Sequence, residues 1–205
     1  MLGLYIHIPF CVRKCRYCDF LSAPACDSER EAYLKSLHGQ IKAIGERLRQ
    51  KKSGKHYIVD SIFIGGGTPS ILETQQMRSI FDAIRATFPI DSDAEITVEV
   101  NPGTVDKLKL MAYRNVGINR LSIGLQSTDD QELKMLGRIH TYKDFLDTYT
   151  LAREVGFQNI NVDLMSGIPL IPVMIGLFGF PEIIFGLVSS TARAQVKTSS
   201  LEMKK

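Results

Sequence analysis

An excess of charge of either sign is nearly absent from this sequence: 25 Lys and Arg against 22 Asp and Glu leave a formal net charge of +3. No stretch gathers enough cations to track a phosphate backbone, so a nucleic-acid partner is not expected. The densest basic run, Arg47 to Lys55, reads as the solvated end of a helix and the loop after it. Cysteine is scarce, with four residues, and three of them fall together between Cys11 and Cys18. A disulfide framework would spread them more evenly. A secretory leader is missing, because Leu4-Tyr5-Ile6-His7-Ile8 reads as a strand. The expectation is a reducing compartment: the cytoplasm or, in a eukaryote, an organelle such as a mitochondrion or plastid. Neither an internal repeat nor a linker interrupts the chain before Pro169.

Short apolar runs and amphipathic stretches alternate along the chain. The runs Leu4–Pro9, Tyr57–Ile64, Glu95–Val100, Ile118–Leu125 and Asn159–Met165 read as strands. Between them, Ser28–Gln50, Glu73–Phe88, Thr104–Asn115, Asp129–Leu136 and Tyr142–Val155 have helical spacing. The apolar side of the first helix reads as Tyr33, Leu37, Ile41, Ile44 and Leu48; that of the second reads as Met77, Ile80, Phe81 and Ile84. Strands alternating with helices across short loops favour an α/β fold with a parallel sheet. Cys11, Gly65, Glu99, Gln126 and Asp163 fall at or just past the C-terminal ends of successive strands, and in a β/α barrel those ends open on one face where sites form. The expected fold is therefore the first part of such a barrel, over residues 1–169. Residues 170–205 form a separate, divergent tail, apolar and then polar. Ile168 to Val188 is about long enough to span a bilayer, but Pro169, Pro172, Pro181 and Glu182 argue against an ordinary spanning helix. Membrane contact through the tail is not favoured.

Cys11-Val-Arg-Lys-Cys15-Arg-Tyr-Cys18 has the spacing C-x3-C-x2-C. Three thiolates this close on a loop can serve one soft metal centre. A cubane iron–sulfur cluster held by three cysteines leaves one iron open to a chelating amino acid. Zinc would need a fourth ligand, for which Cys26 or His7 could be proposed, and there is no second cysteine pair. Chance clustering of structural cysteines is the third reading. Gly65-Gly66-Gly67 could be a tight turn or a close backbone approach to a ligand. Asp163 stands out inside an apolar run, where an unpaired carboxylate would be costly. His38 and His56 read as surface residues. His7 could face the barrel interior, and His140 reads as a loop residue.

The stretch from Tyr5 to Phe20 resembles the radical SAM superfamily, in particular its coproporphyrinogen-dehydrogenase branch, the HemN and HemW proteins. The resemblance runs from about residue 3 to Pro169. It rests on five separated motifs: the cysteine loop, Gly65-Gly66-Gly67-Thr68-Pro69, Val98-Glu99-Val100-Asn101-Pro102, Ser122 to Gln126, and Asn161-Val162-Asp163. It implies a [4Fe–4S] cluster on Cys11, Cys15 and Cys18, and S-adenosylmethionine beside it. It also implies roles for ten further residues. Tyr5 would lie near the sulfonium and Tyr17 near the adenine. The backbone of Gly65, Gly66, Gly67 and Thr68 would meet the amino group, with Glu99 and Gln126 as further contacts. Arg138 would lie near the methionine carboxylate, and Asp163 would hold the ribose. An electron from the cluster would then split S-adenosylmethionine into methionine and a deoxyadenosyl radical.

The sequence departs from that pattern twice. The decarboxylating dehydrogenase carries a further cysteine two residues after the last cluster cysteine, where this chain has Phe20. That points to the HemW-type branch and implies a haem chaperone, with haem or porphyrin as ligand and a haem-accepting protein as partner. Oxygen-independent coproporphyrinogen III dehydrogenase is the alternative, so enzymatic activity stays open. After Pro169 the residues no longer follow the family, which implies a barrel incomplete at its C-terminus. The expectation is a chain that binds cluster and S-adenosylmethionine weakly or not at all in isolation, a non-catalytic truncated product being the third reading.

Overall fold

The computed structural model describes residues 1–50 and 57–165. Met1–Leu164 forms one compact unit. Five strands, β1 (Leu2–Ile8), β2 (Val59–Gly66), β3 (Ile90–Val100), β4 (Arg120–Gln126) and β5 (Asn159–Leu164), make one sheet in the order β1-β2-β3-β4-β5. Every neighbouring pair is parallel. Helices α1 (Asp27–Gln50), α2 (Thr74–Thr87), α3 (Lys107–Asn115), α4 (Asp130–Met135) and α5 (Tyr142–Glu154) lie in the connections. This is the α/β order expected from the alternation. The tail and His56 lie outside the described residues, as does the loop part of the basic run. Among the described residues, no helix is long and apolar enough to cross a membrane.

The two faces of the sheet differ in chemistry because side chains alternate along each strand. Ile6 and Ile8, Ile62 and Ile64, Ile96, Val98 and Val100, and Leu121, Ile123 and Leu125 are all buried. They share one core with Leu34, Leu37 and Ile41 of α1, Met77, Ile80, Phe81 and Ile84 of α2, Leu110 and Tyr113 of α3, and Phe145 and Ala152 of α5. The intervening positions face away from the helices. They carry Tyr5 and His7, Phe63 and Gly65, Thr97 and Glu99, Ser122 and Gly124, and Asn161 and Asp163. A parallel sheet covered on both sides would show continuous apolar runs. Here one face is apolar and buried under helices, and the other is polar.

Register fixes which of these polar residues are neighbours. His7 pairs with Gly65, Glu99 with Ser122, Ser122 with Asn161, and Gly124 with Asp163. The helices start where the backbone has capping partners. Asp106 accepts from Lys109 N–H, Asp129 from Gln131 and Glu132 N–H, and Thr141 with Asp144 closes a reciprocal capping box.

Three details differ from the sequence reading. The buried face of α1 is Leu34, Leu37, Ile41 and Gly45, and Ile44 is exposed. Gly45 faces Thr87 closely enough that a side chain would collide, so the interface is set by a missing side chain. Strand β3 begins at Ile90 rather than Glu95; Ile90 pairs with Val59, and the register slips before Glu95 meets Ser61. The polar Asp91-Ser92-Asp93 segment hid that pairing, because it has little intrinsic strand preference.

Candidate cofactor site

The cysteine loop leaves β1 and lies over the C-terminal ends of the strands. Its base is fixed by Cys11 N–H to Ala23 O (3.1 Å) and Ala23 N–H to Pro9 O (3.0 Å). Its far side rests on the connection after β4. Arg16 N–H donates to Leu136 O (3.0 Å), and the Arg13 guanidinium donates to Gly137 O (3.0 Å). Cys11 is buried, and Cys15 and Cys18 are half-buried. The Cys18 N–H donates to Cys15 O (3.3 Å) and turns the loop between them. Among the described residues, no three His, Cys, Asp or Glu side chains stand close enough together to hold a single metal ion. The three cysteines share one loop without meeting at a point. Both residues considered as a fourth zinc ligand have other partners. Cys26 is exposed, with its Sγ 3.1 Å from Ser28 Oγ. The His7 ring is bonded through both nitrogens: a carbonyl only accepts, so Nε2 donates to Leu21 O (3.0 Å) and Nδ1 accepts from the Tyr5 hydroxyl (3.1 Å).

The glycine turn at the end of β2 packs directly under this loop. Gly67 N–H donates to Ile8 O (2.8 Å), and Thr68 N–H donates to Phe10 O (2.7 Å). A Cβ on Gly67 would lie 2.6 Å from Phe10 O and 3.0 Å from Cys11 Sγ. Gly66 has φ +113°, and a Cβ there would lie 2.6 Å from the His7 ring. Gly66 needs glycine for both space and backbone geometry, and Gly67 needs it for space. Gly66 N–H donates to Glu99 Oε2 (3.0 Å). Burial pushes the Glu99 carboxyl above its ordinary value, the Gly66 N–H opposes that shift, and the charge of Asp163 adds to it. Tyr5 is 58% exposed beside the same carboxylate, and its hydroxyl is also shifted upward, first by desolvation and then by Glu99.

Arg138 connects the loop to the sheet. Its Nη2 donates to Gly124 O (2.6 Å) and Asn101 Oδ1 (2.8 Å), and its Nη1 lies 3.5 Å from the Tyr17 hydroxyl and 3.7 Å from Cys15 Sγ. Among the described residues its Nε is buried without a partner. Burial pushes the Tyr17 hydroxyl up to about 12, against the lowering effect of Arg138. At the far edge, Asp163 accepts from Ser122 Oγ (3.0 Å) and Asn161 Nδ2 (2.7 Å), so this carboxylate is half-buried and satisfied. Gln126 has φ 71°, a strained value for a residue with a side chain, at the end of β4.

Thus Cys11 meets Thr68, Cys15 and Tyr17 meet Arg138, and Gly66 meets Glu99. Cys18 and Gln126 border this group without a side-chain bond to the other candidates among the described residues. The sequence reading missed Asn101, which bonds Thr68 and Arg138; it lies two residues beyond Glu99, on the same face of β3 by alternation. His140 is more than a loop residue: it is buried, its Nε2 donates to Leu125 O (3.1 Å), and desolvation with the nearby Arg138 lowers its pKa.

A parallel β/α sheet with a soft-ligand loop over its C-terminal edge and a polar face below defines a cofactor-binding protein of the partial β/α-barrel class. More narrowly, the chain belongs to the radical SAM superfamily, whose family model matches residues 5–173. It is 43% identical to the "Heme chaperone HemW" of Escherichia coli over 82% of this chain and 43% of that protein. It is 36% identical to the bovine "Radical S-adenosyl methionine domain-containing protein 1, mitochondrial" over 82% of this chain and 36% of that protein. Among solved structures, the coproporphyrinogen III oxidase HemN of Escherichia coli, described as a radical SAM enzyme, matches with a TM-score of 0.71 at 30% identity. That match covers 79% of this chain and 36% of that one. The chain therefore spans less than half the length of these relatives. The family implies a [4Fe–4S] cluster and S-adenosylmethionine. The residues present fit both: three sulfur donors on one loop, two hydrogen-bond donors aimed at two of the sulfurs, a glycine cradle, and a buried guanidinium with an unused N–H.

Proposed function

We propose that Cys11, Cys15 and Cys18 hold a [4Fe–4S] cluster, that the polar face beside them binds S-adenosylmethionine, and that the protein handles haem as a chaperone. The observation that carries the site is Arg138, which joins the cysteine loop (Cys15, Tyr17) to the ends of two strands (Asn101, Gly124). With cluster and ligand bound, the pair supplies one-electron reductive chemistry at a sulfonium.

This chain's residues bind and orient. The Gly65–Gly67 backbone and Thr68 give close approach to the ligand's amino-acid end, and Glu99 offers its carboxylate to the ammonium. Arg138 takes the ligand carboxylate, for which a guanidinium is the geometric match. Asp163, held by Ser122 and Asn161, presents oxygens suited to a ribose diol. Tyr5, Tyr17 and Gln126 line the remaining sides and limit water. Phe20, 61% exposed, stands where the decarboxylating relatives carry a further cysteine and offers no sulfur ligand. That favours haem handling over porphyrinogen decarboxylation, and the reading extends to haem or porphyrin as ligand, a haem-accepting partner protein, and a cytoplasmic or organellar location. Residues 1–169 would be the cofactor-binding unit, with 170–205 distinct from it.

Anaerobic reconstitution of the full chain tests this, alongside a Cys11→Ala/Cys15→Ala/Cys18→Ala variant. Iron and sulfide in cluster stoichiometry in the wild type alone, with S-adenosylmethionine binding by calorimetry, would support the site and overturn the expectation that the isolated chain binds both weakly or not at all. Haem titration is expected to give a saturable shift of the Soret band. Equal iron in wild type and variant would overturn the cluster assignment. Protoporphyrinogen formation from coproporphyrinogen without haem binding would overturn the chaperone reading.

A further inference from the structure

Asn101 contacts none of the cysteines, yet its side chain decides where two sulfur-directed hydrogen bonds point. Its amide sits between a group that only donates and a group that can do either. The Arg138 guanidinium has no acceptor, so the amide atom 2.8 Å from Nη2 must be the oxygen. That leaves Nδ2 facing Thr68 Oγ1 at 3.0 Å, where the hydroxyl must accept. The Thr68 proton is then free to point to Cys11 Sγ, 3.5 Å away. At the other end, the same guanidinium presents Nη1 to Cys15 Sγ at 3.7 Å. One amide therefore polarises a chain of groups running from Cys15 to Cys11. The Asn101 backbone is itself pinned: its N–H donates to the buried Ser70 Oγ (3.1 Å), and its carbonyl accepts from Thr104 Oγ1 (2.6 Å).

We infer that Asn101 is a positioning residue that orients the Thr68 and Arg138 donors onto Cys11 and Cys15 and so raises the reduction potential of the cluster those cysteines hold. The inference rests on the cluster assignment above. Hydrogen bonds to the sulfurs of a cluster favour its more negative, reduced form, so losing them lowers the potential.

Three variants of the reconstituted full chain separate the links. Thr68→Val deletes the hydroxyl without changing charge. Asn101→Leu removes both amide bonds. The pair combined tests whether they act through one chain. Redox titration followed by electron paramagnetic resonance is expected to place both single variants at more negative midpoint potentials than the wild type. The double variant is expected to show no further shift along the Thr68 arm, so its change is smaller than the sum of the singles. Thermal melts and iron content confirm that each variant is folded and loaded, and a merely structural role would move those without moving the potential. Thr68→Val alone carries the test if Asn101→Leu does not fold, and Asn101→Gln, which keeps an amide, is expected nearer the wild-type potential than Asn101→Leu. A wild-type potential in loaded, folded Thr68→Val, or in loaded, folded Asn101→Leu, would overturn the inference. A wild-type chain that takes up no cluster would instead overturn the assignment beneath it.

Discussion

Gly67 and Gly39 offer opposite outcomes from the same substitution. A methyl on Gly67 would lie 2.6 Å from Phe10 O and 3.0 Å from both Ile8 O and Cys11 Sγ. Two of these are backbone oxygens that accept the bonds tying the β2 turn to the cysteine loop, so they cannot swing aside as a flexible side chain would. Overpacking of this kind costs about 1–3 kcal/mol. For a chain of this size that corresponds to a fall in Tm of about 2–12 °C. Relief requires the turn to move away from Phe10 and Cys11, which also lengthens the 3.5 Å contact from Thr68 Oγ1 to Cys11 Sγ. Gly67→Ala should therefore lose iron uptake as well as stability. Gly39, within α1, has nothing within 4 Å of the added carbon. There the gain in helix propensity is about 0.5–1 kcal/mol, so Gly39→Ala should raise Tm by about 1–4 °C and leave iron uptake unchanged. The assay is a thermal melt of each full chain, paired with iron and acid-labile sulfide per chain after reconstitution. Gly67→Ala with wild-type Tm and wild-type iron would refute the argument that this turn and the cysteine loop share one packed position.

Burial raises the Glu99 pKa, so the folded state binds that proton more tightly than the unfolded state. The contribution to stability is full below about pH 4, the ordinary carboxyl range, and is lost as pH rises through the folded value. Glu99→Gln should thus be at least as stable as wild type at pH 7–8, with the difference changing toward acid pH, while binding of S-adenosylmethionine falls. Melting curves against pH check the sign, and a wild type clearly more stable than the variant at pH 8 would contradict it. Arg138→Lys leaves Gly124 O and Asn101 Oδ1 sharing a single ammonium in place of a planar fork, at a cost of about 1–3 kcal/mol, read as a lower urea midpoint with unchanged slope. Within α3, Leu110 is fully buried and Leu108 is 76% exposed. Leu110→Ala should cost about 2–5 kcal/mol and Leu108→Ala no more than about 0.5, both by urea denaturation.

The repeating elements were legible because each strand and helix carries its own period. The second helix reads as Met77, Ile80, Phe81 and Ile84, and those four residues are its buried face. The alternation in β3 puts Thr97, Glu99 and Asn101 on one side, which suffices to place Glu99 near the other strand ends. Less legible were the features that depend on which segments meet. Nothing local to Arg13 or Arg16 says that they will bond the connection after β4, more than a hundred residues away. That contact follows from the all-parallel order β1-β2-β3-β4-β5, which brings the strand C-termini to one edge. His140 looks like a loop residue and has loop backbone, yet the β4 carbonyl it meets buries it. The strained backbone of Gln126 likewise leaves no trace in composition.

The ligand loop is thus held in place by residues that are not ligands. Cys11 is fixed through the β2 turn, by Gly67, Thr68 and the carbonyls of Ile8 and Phe10. Cys15 is fixed through the β4 connection, by Leu136, Gly137 and Arg138. Among the described residues, Cys18 is held through the turn back to Cys15. The two anchors belong to different strand ends and are bridged by Asn101 from a third. A loop held at one end alone could swing as a unit; held at both, it can only be displaced by breaking a bond at a strand end. The spacing between Cys11 and Cys15 is therefore set by the sheet, and substitutions at Gly67, Asn101 or Arg138 should perturb it even though none of the three contributes a ligand.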